Sequence, residues 1–219
     1  MATLDPGSDN AAALRRAGFV PVVTIERVDQ AVPLARALVA GGFPVIEVTL
    51  RTACAIDALK AILKDVPEAL AGVGTVLSPE DLAKSHAAGA RFAFSPGFTP
   101  ELLQAAKASP LPFIPGVATP AEAMQARSYG FKVQKFFPAE QNGGIPALKA
   151  FHGPLADLVF NPTGGITEAN IRDYRAQPNV IATGASWIAP AADMQSGNWV
   201  AITERGKKLR ALLDRAGNA

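Results

Sequence analysis

The sequence predicts an α/β fold, a single (β/α)8 barrel with a short N-terminal helix, on three observations. The chain has 219 residues, which suits one small barrel domain. A short β-rich run, a turn and an Ala/Leu-rich helical stretch recur along it. Eight such runs begin at intervals of roughly 20 to 26 residues, about the length that a strand, a helix and two loops require.

The eight β-rich runs are predicted to be parallel strands. A doubly wound open sheet would show the same alternation, and the lack of an obvious linker favours the closed barrel. The runs are residues 19–25, 44–50, 70–76, 90–95, 111–117, 131–137, 156–161 and 180–183.

The intervening stretches carry helix signals. Ser78, Thr99 and Thr119 each precede a proline, the pattern of a hydroxyl N-cap followed by proline at the first helical position. Thr167 is predicted to open a further helix. Apolar residues recur at helical spacing in residues 29–40 and 53–66, and the last helix is predicted over about residues 198–215. We expect one domain over residues 1–219, with 1–10 flexible and 10–17 forming a leading helix across the barrel bottom.

Composition excludes several classes of protein. A net charge of +2 and an aromatic content of 7% give no support for nucleic-acid binding or for attachment to an anionic membrane. No apolar run reaches the roughly 20 residues of a membrane span, and the first ten residues lack signal-peptide features. Cys54 is the only cysteine, which fits a reducing compartment. We therefore expect a cytoplasmic protein.

In the second strand an acid and a base share one face. Side chains alternate along a strand, so Glu47, Thr49 and Arg51 point the same way. Charged groups in an apolar strand are costly to bury unless they are paired or functional. Glu47 and Arg51 are therefore candidates for catalysis and binding. The alternative is a Glu47–Arg51 ion pair that only fills the barrel.

The sixth strand carries a lysine among apolar neighbours. Lys135 shares its face with Val133 and Phe137, whereas Lys132 points the other way. Desolvation disfavours the ammonium form and yields a nucleophilic amine, which attack on a ketone requires for a Schiff base. The alternatives are a lysine that reaches out to the barrel mouth or one that pairs with Glu47.

Two glycine-containing loops follow the seventh and eighth strands. In α/β barrels these loops commonly form a phosphate site, where glycines let backbone N–H groups approach the oxygens. Ser186 offers an additional hydroxyl donor. The candidates for phosphate binding are Thr163, Gly164, Gly165, Gly184 and Ser186.

Two other strand ends carry candidates for the substrate pocket. Thr75 ends the third strand, where its hydroxyl is suited to a substrate carboxylate or simply closes the strand. Pro96 follows the fourth strand and shapes either a pocket wall or a turn. His86 and His152 lie outside the predicted strand ends, and no His/Asp/Glu/Cys cluster has the spacing of metal ligands. We predict no metal and no cofactor.

Several stretches resemble the bacterial 2-keto-3-deoxy-6-phosphogluconate (KDPG) aldolase family, also called 4-hydroxy-2-oxoglutarate (KHG) aldolase. The resemblance runs over nearly the whole chain, and VIEVTLRT and KFFPAE together are highly specific. The matching stretches are VIEVTLRT (45–52), GVGTVL (72–77), FSPG (94–97), FIPG (113–116), KFFPAE (135–140), NPTGGI (161–166) and GASW (184–187).

The resemblance implies a metal-free class I aldolase on a TIM barrel, assembled as a homotrimer. It implies that Lys135 forms the Schiff base with pyruvate and that Glu47 is the general acid/base. Arg51 and Thr75 would bind the substrate carboxylate.

The remaining roles implied by the resemblance concern the pocket walls and the distal phosphate. Pro96 and Phe137 would line the pyruvate pocket, and Gly164, Gly165 and Ser186 would hold the phosphate. Thr163 matches the threonine of enzymes acting on the gluconate isomer. Either Thr24 or Arg27 is a further candidate for substrate contact.

The expected reaction is the reversible cleavage of KDPG to pyruvate and glyceraldehyde 3-phosphate, a step of the Entner–Doudoroff pathway. The same chemistry acting mainly on KHG or on the galactonate isomer is the first alternative. A phosphosugar isomerase or epimerase is the second, although the metal cluster or Glu/His pair it requires is not evident. A trimeric phosphate-binding scaffold is the non-enzymatic alternative.

Overall fold

The structure is a computed structural model that describes residues 6–214. Short parallel strands alternate with helices along the chain, as the sequence predicts. The strands are β1 (Phe19–Val23), β2 (Val45–Thr49), β3 (Leu70–Gly74), β4 (Ala93–Phe94), β5 (Phe113–Ile114), β6 (Gly116–Val117), β7 (Val133–Phe136), β8 (Val159–Pro162) and β9 (Thr183–Ala185). The helices are α1 (Asp9–Ala17), α2 (Ala31–Ala40), α3 (Ala55–Asp65), α4 (Pro79–Ala87), α5 (Pro100–Ala108), α6 (Pro120–Ser128), α7 (Gly144–His152), α8 (Ile171–Arg175), α9 (Ala191–Ser196) and α10 (Trp199–Asp214).

The strands form two parallel sheets. A curled six-stranded sheet has the order β5-β4-β3-β2-β1-β9, and a three-stranded sheet has the order β6-β7-β8. Isolated parallel bridges, Phe160 to Val180 and Thr163 to Gly184, connect the smaller sheet to the β9 end of the larger one. The predicted fifth run holds two strands, β5 and β6, because Pro115 interrupts it and has no N–H for the ladder. The α/β class is confirmed, and the closed eight-stranded barrel stays a prediction.

An apolar cluster fills the space between the amino-terminal ends of the strands. It includes Val20, Val45 and Val133, which lie at or near the starts of β1, β2 and β7, so both sheets contribute to it. Ala11 and Leu14 of α1 pack into the same cluster. The predicted leading helix is therefore present at this end. Residues 1–5 of the predicted flexible stretch 1–10 lie outside the described residues, and α1 begins at Asp9.

The predicted helix starts are confirmed at three positions. The hydroxyls of Ser78, Thr99 and Thr119 each accept a hydrogen bond from the backbone N–H three residues later. The start at Thr167 is one turn too early. Thr167 and Asn170 hydrogen-bond reciprocally across a turn, and α8 begins only at Ile171. Within residues 6–214, no helix is both long and apolar enough to cross a bilayer.

Gly72 of β3 tests the packing between the strands. A Cβ at this position would lie 2.4 Å from both a ring carbon and the carbonyl oxygen of Phe92. We predict that Gly72→Ala lowers the free energy of unfolding by about 1–3 kcal/mol, because the core cannot accommodate the added methyl group. Urea denaturation measures the change.

Gly153→Ala is the matched control, since a Cβ there has no heavy atom within 4 Å and the residue has helical backbone angles. It is expected to leave stability unchanged or to raise it by about 0.4–1 kcal/mol. Equal stabilities of the two variants would contradict the described packing at β3.

Candidate active site

The centre of the candidate site is an ion pair between the two sheets. Lys135 Nζ on β7 lies 3.0 Å from Glu47 Oε1 on β2, and it donates a hydrogen bond to that oxygen. Glu47 is 0% exposed and Lys135 is 5% exposed. The lysine therefore pairs with Glu47 rather than reaching out to solvent, and the Glu47–Arg51 pair considered from the sequence is not the one that forms.

Strand alternation and one glycine make room for this pair. Val45 and Val133 face the interior cluster, so Glu47 and Lys135, two residues further along, face the same interior. A Cβ on Gly74 at the end of β3 would lie 2.0 Å from Glu47 Oε1. The side chain of Glu47 occupies this space, and any larger residue at position 74 would displace it.

The surroundings of the pair are apolar and leave one oxygen unused. Lys135 Nζ lies 5.3 Å from the ring centroids of both Phe94 and Phe137, within the range of cation–π attraction. Glu47 Oε2 is buried and has no hydrogen-bond partner within the described part of the chain. A buried acceptor without a partner is costly. This oxygen is therefore available to a reacting group beside the amine.

Arg51 and Thr75 meet at the carboxyl ends of β2 and β3. Arg51 Nε lies 3.3 Å from Thr75 Oγ1 and donates a hydrogen bond to it. Thr75 has a φ of 62°, and it is the only non-glycine residue among 6–214 with a positive φ. Such backbone strain clusters at functional sites. No carboxylate among the described residues forms an ion pair with Arg51, so its charge remains available to an anion.

A cavity of about 580 Å³ opens at the carboxyl ends of the strands. Its lining combines the cation of Arg51 with the two glycine-containing loops. It lies beside the ion pair, because Phe137 lines it and Val22, which also lines it, is the register partner of Glu47. The full lining is Val22, Thr24, Arg51, Phe137, Thr163, Gly164, Gly165, Ile166, Thr167, Glu168, Ala185, Ser186 and Trp187.

The two glycine-containing loops are in direct contact with each other. Thr163 forms a bridge to Gly184, and a Cβ on Gly184 would lie 2.4 Å from Thr163 Oγ1. Gly184 is thus buried behind Thr163 and lies outside the cavity lining. Asn161 Nδ2 donates a hydrogen bond to Thr163 Oγ1 over 3.2 Å, which leaves the threonine hydroxyl proton free to be donated into the cavity.

Of the remaining candidates for substrate contact, one lines the cavity and two lie outside its lining. Thr24 lines the cavity, and its hydroxyl lies 2.8 Å from that of Thr49. Arg27 lies outside the lining and forms an exposed ion pair with Asp29. Pro96 also lies outside it, and its carbonyl group packs against Gly116, the register partner of Lys135. Of Thr24 and Arg27, the two alternatives offered for a further substrate contact, only Thr24 therefore lies at the cavity.

Sequence reasoning assigned no role to several residues that lie at the cavity or beside the ion pair. Val22 was detectable, because it shares strand parity with Val20 and Thr24. Asn161 lies in a quoted motif, and it is the register partner of Lys135 with its own side chain fully buried. Trp187 lies in the quoted stretch GASW, but nothing in its residue type or spacing marks it as part of the cavity lining. Across residues 6–214, no group of three His, Cys, Asp or Glu is placed to hold a metal ion.

These features define a class of protein: an α/β enzyme whose cavity opens at the carboxyl ends of parallel strands, beside a buried lysine–carboxylate pair. Residues 11–205 match the sequence model of the family described as "KDPG and KHG aldolase". The chain belongs to the KDPG/KHG aldolase family, and it is an aldehyde-lyase. The resemblance seen in its motifs is thereby confirmed.

Named relatives support the same assignment. The chain is 51% identical to the KHG/KDPG aldolase of Escherichia coli (strain K12), over 86% of this chain and 89% of that one. It is 50% identical to the 2-dehydro-3-deoxy-phosphogluconate aldolase of Dickeya dadantii, over 84% and 86%. A solved KDPG aldolase from Legionella pneumophila, with pyruvate captured as a covalent carbinolamine, is similar with a TM-score of 0.89 and 44% identity, over 92% and 98%.

The interaction between Lys135 and Glu47 can be tested by measuring the free energy of unfolding of variants. We predict that Lys135→Met costs about 3–5 kcal/mol, because it leaves the carboxylate of Glu47 buried without a partner. The double variant Lys135→Met, Glu47→Gln should recover most of that loss, since no buried charge remains. Denaturant unfolding measures both.

Arg127→Met, which breaks the exposed Arg127–Asp157 pair, is the control and is expected to cost at most about 1 kcal/mol. Equal losses in the single and double variants would show that the two buried groups do not interact.

Proposed function

We propose that the enzyme cleaves KDPG reversibly to pyruvate and glyceraldehyde 3-phosphate through a Schiff base on Lys135. The observation that carries this proposal is the buried Lys135–Glu47 pair, because it sets an amine and a carboxylate side by side at the cavity. The relative from Legionella pneumophila, captured as a pyruvate carbinolamine, supports imine chemistry in this family.

The first step is attack by the Lys135 amine on the C2 ketone. A carbinolamine forms, Glu47 gives the proton it took from the lysine to the C2 hydroxyl, and departure of that hydroxyl as water leaves an ionised Glu47 and a protonated imine that withdraws electrons from C3. Transfer of a proton from the lysine to Glu47, 3.0 Å away, supplies the neutral amine that the attack requires.

The second step is carbon–carbon cleavage. Glu47, directly or through a water, accepts the proton of the C4 hydroxyl, and the C3–C4 bond breaks. C4 becomes the aldehyde carbon of glyceraldehyde 3-phosphate, and the bonding electrons pass to C3 as an enamine. Glu47 returns a proton to C3, and addition of water to the imine releases pyruvate and restores the Lys135 amine.

The polar groups at the strand ends would orient the substrate. Arg51 with Thr75 binds the C1 carboxylate, and Pro96 and Phe137 form the walls around the pyruvate moiety. Arg51 fits this role because it faces the cavity and has no carboxylate partner among the described residues.

The loops at the far side of the cavity would hold the phosphate. Gly164 and Gly165 have φ values of 97° and 79°, a left-handed backbone that glycine adopts readily, and the backbone N–H groups of this loop would donate to the phosphate. Ser186 adds a hydroxyl, Gly184 supports the loop from behind, and Thr163 meets the hydroxyl-bearing carbons between the imine and the phosphate.

The unphosphorylated KHG is the second candidate substrate, because the relative from Escherichia coli is named for both KHG and KDPG. The galactonate isomer is less favoured, since Thr163 matches the enzymes acting on the gluconate isomer. A role in the Entner–Doudoroff pathway, a homotrimeric assembly and a cytoplasmic location complete the proposal.

We also propose that the two sheets complete an eight-stranded barrel. Two observations support closure. The bridges at Phe160 and Thr163 join the smaller sheet to the β9 end, and only Pro115 separates β5 from β6.

Imine trapping tests the lysine. We expect incubation with pyruvate and borohydride to add one reduced pyruvyl group, located on Lys135 by peptide mass mapping, because borohydride converts the imine into a stable amine. Lys135→Ala should abolish the adduct. Lys132→Ala, which removes a lysine from the opposite face of the same run, should leave it unchanged. An adduct that survives in Lys135→Ala would contradict the assignment.

Glu47→Gln tests the proposed proton transfers. We predict that the variant still forms the trapped pyruvate adduct, because water can take the lysine proton in place of Glu47 during a long incubation. It should cleave KDPG about 10²–10⁴-fold more slowly, the usual contribution of a general acid/base. Steady-state kcat with a coupled assay for glyceraldehyde 3-phosphate gives the comparison. Cleavage at the wild-type rate would rule out Glu47 as the proton acceptor.

A further inference from the structure

Glu140 ends the KFFPAE motif, and the proposed reaction gives it no role. It begins the short 3-10 turn Glu140–Asn142, and its Oε1 accepts a hydrogen bond from the hydroxyl of Tyr174. Tyr174 is completely buried, and burial together with Glu140 raises the pKa of its phenol. The phenol therefore stays protonated and remains a donor to Glu140 throughout the ordinary pH range.

The backbone of the same turn is hydrogen-bonded to the loop of residues 163–165. The N–H of Ala139 donates to the carbonyl of Thr163 over 2.8 Å, and the N–H of Glu140 donates to that of Gly164 over 3.1 Å. From the other side, Asn170 Nδ2 donates to the carbonyl of Gly165 over 3.0 Å. All three carbonyl groups of the loop are thus occupied by neighbouring segments.

The N–H groups of residues 164–166, unlike the carbonyl groups of the loop, are not hydrogen-bonded within the described part of the chain. Among the described residues, no acceptor is found for the N–H groups of Gly164, Gly165 or Ile166. Because its carbonyl groups are occupied and these N–H groups are not, the loop retains hydrogen-bond donors for an anion.

The stem of Glu140 also determines the shape of this loop. A Cβ on Gly165 would lie 2.3 Å from Glu140 Cγ and 2.6 Å from Glu140 Cβ. The absence of a side chain at position 165 thus makes room for Glu140. The hydrogen bond from Tyr174 holds the Glu140 carboxylate in place beside this loop.

We propose that Glu140, held by Tyr174, is a positioning residue that sets the 163–165 loop at a fixed distance from Lys135 and so favours phosphorylated over unphosphorylated 2-keto acids. Only four residues separate Lys135 from Glu140, so the segment that carries the amine also supports the loop. This inference rests on the proposed function.

The test compares kcat and KM for KDPG and for the unphosphorylated KHG in Glu140→Ala, Tyr174→Phe and Glu140→Gln. Glu140→Ala should raise KM for KDPG about tenfold and change kcat/KM for KHG less than about twofold, because only the phosphorylated substrate needs the loop. Tyr174→Phe should shift KM in the same direction. Glu140→Gln keeps an acceptor for Tyr174 and should restore the wild-type preference.

Gln141→Ala, an exposed neighbour in the same turn, is the matched control and should not alter the substrate preference. Thermal unfolding reports any loss of folded protein, and pyruvate trapping on Lys135 should be unaffected in every variant. Equal losses on both substrates, or no change in KM for KDPG, would overturn the positioning role. Failure of trapping in the wild-type enzyme would instead refute the proposed Schiff base.

Discussion

The candidate site depends on one buried ion pair, Lys135 with Glu47, which joins two sheets that also share an apolar cluster and two isolated bridges. Each charge is tolerable in the interior only because the other is present. The pair also needs the space left by Gly74 and the rings of Phe94 and Phe137 around the amine. The interaction that makes two buried charges tolerable thus also holds the two groups that the proposed chemistry uses.

The residues at the cavity lie only a few positions along the chain from the two members of this pair. Beyond Glu47, the end of β2 brings Arg51 to Thr75 at the cavity. Beyond Lys135, the turn at Glu140 bonds to the loop that begins at Thr163. The groups proposed to bind the carboxylate, the ketone and the phosphate therefore stand on segments anchored at one buried point. Such rigid support is what precise positioning of a reacting substrate requires.

The sequence alone predicted those features that neighbouring residues determine. Hydroxyl–proline pairs predicted the starts of α4, α5 and α6, and strand alternation predicted that Glu47 and Lys135 face inward. The unpredicted features depend on contacts between distant segments. The stem of Glu140 against Gly165, Gly184 behind Thr163 and the left-handed backbone of Thr75 arise only after the strands are assembled. The interruption at Pro115 was locally visible, yet its effect on pairing depends on the neighbouring strands.

The most direct test of this account is a crystal structure of the enzyme after reduction of its pyruvate adduct with borohydride. The account predicts continuous density from Lys135 Nζ to C2 of the pyruvyl group, with its carboxylate on Arg51 and Thr75 and the carboxylate of Glu47 within hydrogen-bond distance of the new amine. Density on another lysine, or a pyruvyl carboxylate directed away from Arg51, would contradict it.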